Sequence, residues 1–181
     1  MIADEDTLPW INHWAIYWLS SMIRETDRVF EWGSGASTIW FAKKVSSVIS
    51  IESDPNWFRE ISTQISEEGL TNVDLKFIGK DPIGTWRAYS NEIKKHPQNS
   101  FDLIFVDGDL ATRTICAEAA IRVAGEDTII ILDNSIRKHE AAKVLEAWAS
   151  EYVTFYCCGR RGQKWGTSFY YGKHQSGEIR C

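Results

Sequence analysis

No paired cysteine motif, no long apolar run and no long run of basic residues occurs in this chain. The four cysteines, Cys116, Cys157, Cys158 and Cys181, include no C-x-x-C pair, and two of them are adjacent. That spacing suits neither a zinc site nor a disulfide framework. It is the usage expected of a reduced, cytoplasmic protein. No apolar stretch approaches the length needed to span a bilayer, so no membrane partner is expected. The opening residues Met1-Ile2-Ala3-Asp4-Glu5-Asp6 are acidic and lack the pattern of a secretory leader. A net charge of −5 without a Lys/Arg run argues against a nucleic-acid partner. Repeats, low-complexity tracts and linkers are also missing, so the 181 residues read as one domain. Its expected parts are an N-terminal helix within 1–24, a core over 28–172 and a polar, flexible tail over 173–181.

What is present is a core's worth of apolar residues, 44% of the chain, in a pattern that alternates strand and helix. Val29-Phe30-Glu31-Trp32-Gly33-Ser34-Gly35-Ala36-Ser37-Thr38 is the most informative stretch. A short apolar run carries an acid, then two glycines spaced G-x-G, then small hydroxylated residues that open a helix. Glycines there allow a tight turn and close approach of backbone to a ligand. A second apolar run, Val48-Ile49-Ser50-Ile51, ends in Glu52, an acid that can accept hydrogen bonds from ribose hydroxyls. The unit reads as a nucleoside-binding βαβ. Thr38 stands where dinucleotide folds carry a third glycine, and Glu31 sits two residues before the first. A carboxylate there disfavours a pyrophosphate and suits a ligand with positive charge.

The remaining pattern extends the alternation. Leu8 to Ile23 reads as an amphipathic helix with Ile11, Trp14, Trp18 and Met22 at helical spacing. Asp54-Pro55 opens a helix with a buried stripe Trp57, Ile61, Ile65, and Gly69 ends it. Val73 to Ile78 is a third strand, Thr85 to Lys95 a helix, Phe101 to Val106 a fourth strand, and Thr112 to Val123 a helix holding Cys116. A fifth strand runs to Asp133, and Ala141, Val144, Leu145 and Trp148 mark the next helix. Val153 to Cys158 and Ser168 to Tyr171 are strands with too short a link for a helix, hence antiparallel. The fold expected is α/β: a Rossmann-like, doubly wound, mostly parallel seven-stranded sheet with an antiparallel C-terminal hairpin.

Taken in order, the E-x-G-x-G motif, Glu52, the strand Ser100 to Gly108 with Asp107, and the strand Thr128 to Asn134 resemble the class I S-adenosylmethionine-dependent methyltransferases, over roughly Arg28 to Asn134. They are similar in particular to bacterial enzymes acting on small molecules and glycans. The resemblance implies S-adenosylmethionine as cofactor, with Glu31, Gly33, Ser34 and Gly35 at its amino-acid part and Glu52 and Ser53 at the ribose. It also implies Asp81 at the adenine, with Asp107 at the sulfonium and methyl group. It implies methyl transfer to an oxygen of a small-molecule or sugar-like acceptor. Asp107 and His139 are the candidate catalytic residues. Asp107 with Asp133-Asn134 is also similar to the set that binds a divalent metal in the metal-dependent catechol and caffeoyl-CoA O-methyltransferases. Oxygen ligands of that kind suit magnesium, calcium or manganese. The catalytic lysine of those enzymes, three residues after the first acid, is Leu110 here. The favoured expectation is therefore a site without metal.

Other residues keep two readings. The turn Gly159 to Gly166 carries Arg160, Arg161, Lys164 and Trp165, which suit an anionic acceptor or form a solvated hairpin tip. His139 is a general base or a surface histidine. Trp86 and Tyr89 line a pocket or belong to the core. Trp10, Trp14 and Trp18 share a face of the first helix and serve packing or a homodimer contact. Two rival functions stand beside methyl transfer: an NAD-dependent oxidoreductase, against which Thr38, Glu31 and the lack of a Tyr-x-x-x-Lys set weigh, and a nucleoside- or S-adenosylmethionine-binding protein without catalysis.

Overall fold

The structure, a computed structural model, describes residues 8–136, 139–156 and 166–172, with the backbone alone at His139. Cys157, Cys158, Arg160, Arg161, Lys164, Trp165 and the segment 173–181 lie outside the described residues. Seven strands form one sheet: β1 Arg28–Trp32, β2 Ser47–Glu52, β3 Val73–Phe77, β4 Leu103–Val106, β5 Ile129–Asp133, β6 Glu151–Phe155 and β7 Thr167–Tyr171. Their order is β3-β2-β1-β4-β5-β7-β6, and only β7 runs against its neighbours. The expected architecture is borne out. The order reverses between β1 and β4, which makes the crevice beyond their carboxyl ends the place where such sheets bind ligands.

The helices are α1 His13–Met22, α2 Ala36–Ala42, α3 Pro55–Glu67, α4 Arg87–Asn91, α5 Arg113–Val123 and α6 His139–Trp148. Among the described residues none is long and apolar enough to cross a membrane. Strand residues alternate between the two faces, as period two demands. Phe30, Trp32, Ile104, Val106, Ile130 and Leu132 pack with α5 and α6. Val29, Val48, Leu103, Phe105, Ile131 and Phe169 pack with α1 and α2. At α3, the Asp54 carboxylate accepts from the backbone N–H of Asn56 and Trp57 at 2.8 and 2.9 Å, and Pro55 takes the first helical position. Gly69, at φ +64°, closes the helix as its residue type suggests.

Three elements differ from expectation. The first helix starts only at His13, capped by the Asn12 side chain, and its buried face is Ala15, Ile16 and Leu19. Trp14 and Trp18 are 56% and 41% exposed, because they flank that face. Trp18 instead donates to the Tyr171 hydroxyl of β7 at 3.0 Å, one strand in from the sheet's edge. The segment expected as one helix over 85–95 divides into α4 and a 3-10 turn, Glu92–Lys95. β6 begins two residues earlier than expected, at Glu151, where it pairs with Tyr171.

Candidate active site

Beyond the carboxyl ends of β1, β2 and β4 lies a cleft of about 520 Å³, lined by Gly33, Ser34, Gly35, Glu52, Asp107 and Gly108 and walled by Trp10, Trp57 and Leu110. Its size is that of a small-ligand site. A larger hollow of about 770 Å³ sits at the opposite end of the sheet, against Phe101, Asp102 and Thr128. It lies at the amino ends of the strands, away from the switch point.

The glycine loop is held by side chains that the sequence places just after it. Gly33 takes φ +90°, and its N–H bonds to the Ile51 carbonyl at 2.9 Å. A β-carbon there would stand 2.7 Å from the backbone of Asp107 and Gly108. The glycine is therefore required both by its conformation and by the contact between β1 and β4. Thr38, in the position of the missing third glycine, accepts from the Gly35 N–H at 2.9 Å and donates to Glu31 at 2.5 Å. It ties the loop shut where a glycine would leave it open.

Glu31 is fully buried and does not line the cleft. Its carboxyl is surrounded by the hydroxyls of Ser37, Thr38 and Ser50, the last at 2.7 Å. Burial raises its pKa to about 7, against the pull of those hydroxyls. Glu52 faces the cleft. One carboxylate oxygen accepts from the Ser34 N–H and hydroxyl, both at 3.0 Å, and the other from the N–H groups of Ser53 and Asp54 at 2.6 and 2.7 Å. Glu52 thus joins the glycine loop to the end of β2.

Asp107 also faces the cleft, with 24% of its side chain open. Burial of the remainder pushes its carboxyl well above the usual range, Asp133 pushes the same way, and Arg113 opposes them. The open quarter stays hydrated and moderates the push. Asp133 and Asn134 are buried and do not line the cleft. Thr167 donates to one Asp133 oxygen at 2.8 Å, and the Asn134 amide donates to the other. Burial raises the Asp133 carboxyl too. Ser53 and Asp81 are not part of the lining. The Asp81 carboxylate closes its own turn, accepting from the N–H of Thr85 at 2.8 Å and from its hydroxyl. That engagement holds its pKa below the usual value. The side chain of His139 lies outside the described residues.

No family model matches the chain. Over 140 residues, 74% of its length, it is 29% identical to a catechol O-methyltransferase from Niastella koreensis, and it spans about 59% of that relative's length. An O-methyltransferase from Bacillus cereus, solved in complex with SAH, superposes with a TM-score of 0.67 at 22% identity, covering 82% of this chain and 75% of that one. The chain has the methyltransferase fold. An rRNA methylase from Streptococcus thermophilus shares it too, with a TM-score of 0.69 at 10% identity, covering 96% of this chain and 100% of that one. The methyltransferase fold therefore leaves the acceptor open, and the residues of the cleft must decide it.

Two residues of the cleft region were not singled out for these roles in the sequence. Arg113, at the first position of α5, is buried and bonds to both Asp107 and the end of β5. A clue was available: a cation at a helix N-terminus opposes the helix dipole and needs another reason to be there. Tyr89 is fully buried, and its hydroxyl has no hydrogen-bond partner among the described residues. It lies so close to Gly108 that a β-carbon there would stand 2.2 Å away. An unpaired buried hydroxyl costs roughly 1–3 kcal/mol. Tyr89→Phe is therefore expected to raise the stability of the free protein by about 1 kcal/mol, read as an increase in Tm. A lower Tm would mean that the hydroxyl is paired in solution.

Proposed function

We propose that this chain is an S-adenosylmethionine-dependent methyltransferase that methylates an oxygen of a small-molecule or sugar-like acceptor. The reading rests above all on one juxtaposition: at the switch point, a glycine loop, the Glu52 carboxylate and the Asp107 carboxylate line the same cleft. The catechol O-methyltransferase relative supports the same class of reaction. Cysteine usage supports a cytoplasmic site of action. The net charge of −5 disfavours a nucleic-acid acceptor despite the fold shared with an rRNA methylase.

In this reading Gly33 and Gly35 let backbone approach the amino-acid end of the cofactor, and Glu52 accepts hydrogen bonds from the ribose diol. The cofactor supplies a methyl group on a sulfonium, a good leaving group. The protein's task is then alignment of the two reactants, which supplies much of the acceleration. Asp107 faces the cleft, and burial makes its carboxylate a stronger base than a free one, suited to accept the proton of an acceptor hydroxyl. Leu110, 39% exposed in the cleft wall, offers an apolar contact where the resemblance to metal-dependent O-methyltransferases would imply lysine. An anionic acceptor remains part of the proposal through Arg160, Arg161 and Lys164, which lie outside the described residues.

Calorimetry with S-adenosylhomocysteine and, separately, NAD tests the cofactor. Binding of the first without the second is expected, and the reverse would replace this reading by that of an oxidoreductase. Glu52→Gln is expected to weaken S-adenosylhomocysteine binding about ten- to hundredfold, the worth of charged hydrogen bonds of about 1.5–3 kcal/mol. Unchanged affinity would remove Glu52 from the ribose site. Turnover with labelled S-adenosylmethionine across hydroxylated acceptors separates an enzyme from a protein that only binds the cofactor.

A further inference from the structure

The carboxyl ends of β4 and β5 bring two acidic side chains, Asp107 and Asp133, into mutual electrostatic contact, with Asn134 beside them. Oxygen-rich groups of this kind attract a hard cation. The structure supplies a cation of its own. The Arg113 guanidinium donates from Nε to the Gly108 carbonyl at 2.9 Å, from Nη1 to the Asp133 carbonyl, and from Nη2 to the Asp107 carbonyl at 3.1 Å and the Asp107 carboxylate at 2.7 Å. Four of its hydrogen bonds thus fasten the ends of two neighbouring strands, and its side chain is only 5% exposed.

The local chain is shaped to deliver it. Asp109 accepts from the Ala111 N–H at 2.7 Å, and its carbonyl accepts from the Thr112 N–H and hydroxyl at 2.8 and 2.7 Å. That turn starts α5 with Arg113 directed inward. The helix dipole opposes a positive charge at this end, so the carboxylate and three carbonyls are what stabilise it. While Arg113 is seated there, the acids offer no converging set of lone pairs. Both Asp133 oxygens are engaged by Thr167 and Asn134 within the chain, and one Asp107 oxygen by Arg113. Among the described residues no group of three His, Cys, Asp or Glu side chains could hold a metal. With Arg113 in place, the residues do not fit a divalent ion.

We propose that Arg113 is a resident cation that takes the place of a divalent metal at the Asp107, Asp133 and Asn134 cluster. It is a positioning residue: it holds Asp107 toward the cleft and balances the charge of the acid pair without occupying the cleft. The proposal rests on the methyltransferase reading only for the reaction it serves, since the charge exchange itself is measurable by metal binding.

The test uses Mn²⁺ alone, with thermal shift and calorimetry on the full chain. The wild type is expected to bind no Mn²⁺ tighter than about 1 mM, the weak end of oxygen-ligand sites. Its affinity for S-adenosylhomocysteine should change less than about twofold on adding a chelator, under 0.5 kcal/mol. Arg113→Met keeps the bulk and removes the charge. It is expected to gain Mn²⁺ binding by at least about tenfold, seen as a Mn²⁺-dependent rise in Tm that Arg113→Lys lacks. A purely structural arginine would give no such gain. Wild-type Mn²⁺ binding in the micromolar range, lost in Asp133→Asn, would overturn the proposal, as would an Arg113→Met variant that folds and gains no Mn²⁺ affinity. If Arg113→Met fails to fold with or without Mn²⁺, the wild-type measurement decides. Failure of S-adenosylhomocysteine to bind would count against the methyltransferase reading and leave the metal result intact.

Discussion

Gly33→Ala is expected to lose roughly 2–5 kcal/mol of stability, enough to unfold much of a marginally stable domain. Two costs add. At φ +90° an L side chain is strained, by about 1–2 kcal/mol. The new methyl would also meet the Asp107 and Gly108 backbone at 2.7 Å, an overpacking of about 1–3 kcal/mol. Neither neighbour is a flexible side-chain end, so relief requires β1 and β4 to separate at the switch point. Urea denaturation should show a lower midpoint with little change in slope. Cofactor binding should fall in the variant even where it stays folded, since the cleft is built on that contact. A Gly33→Ala protein within 1 kcal/mol of wild type would mean that the β1–β4 contact is looser than described. Gly35 makes a useful contrast. A β-carbon there meets only the Trp57 ring at 3.7 and 3.9 Å, ordinary contact distances.

The second large effect is a pH dependence carried by Glu31. Its carboxyl titrates near 4.5 in an ordinary setting and near 7 in the folded protein, chiefly because burial disfavours the anion. Between those values the folded state holds a proton that the unfolded state has released. At about 1.4 kcal/mol per pKa unit the difference is about 3 kcal/mol. The contribution is fully present below pH 4.5 and is lost as pH rises through 7. Moving from pH 8 to pH 5 should therefore stabilise the protein through this group, in contrast with the carboxylates whose pairing is lost in acid. Glu31→Gln should flatten the profile: less stable than wild type at pH 5, equal or more stable at pH 8. Equal slopes for both proteins over that range would show that Glu31 is ionised in the folded state or not buried as described.

Much of the fold was legible from local pattern. Apolar runs of strand length, the Asp54-Pro55 start of α3 and the Gly33-Ser34-Gly35 turn each have a local physical cause that acts within a few residues. The short link before Ser168 implied the antiparallel strand for the same reason. The aromatic-rich first helix was harder to read. Its tryptophans are the largest apolar side chains in sight, yet the buried face consists of Ala15, Ile16 and Leu19. Which face is covered depends on where the helix starts and on what lies beneath it, and neither is a local property.

The candidate site divides along the same line. That Glu31, Glu52, Asp107 and Asp133 lie at the carboxyl ends of parallel strands was determined by the sequence alone, because the alternation of strand and helix sets the chain's direction at each acid. Only the tertiary structure decided what each acid faces. Glu52 and Asp107 line the cleft. Glu31 is enclosed by three hydroxyls from α2 and β2, and Asp133 is engaged by Thr167 from β7. Arg113 is six residues from Asp107 but also bonds the end of β5, a contact created by parallel pairing of β4 with β5. Sequence position states which groups are available near the switch point. Burial and partners contributed by distant strands decide which become acids, which become struts, and which charge balances them.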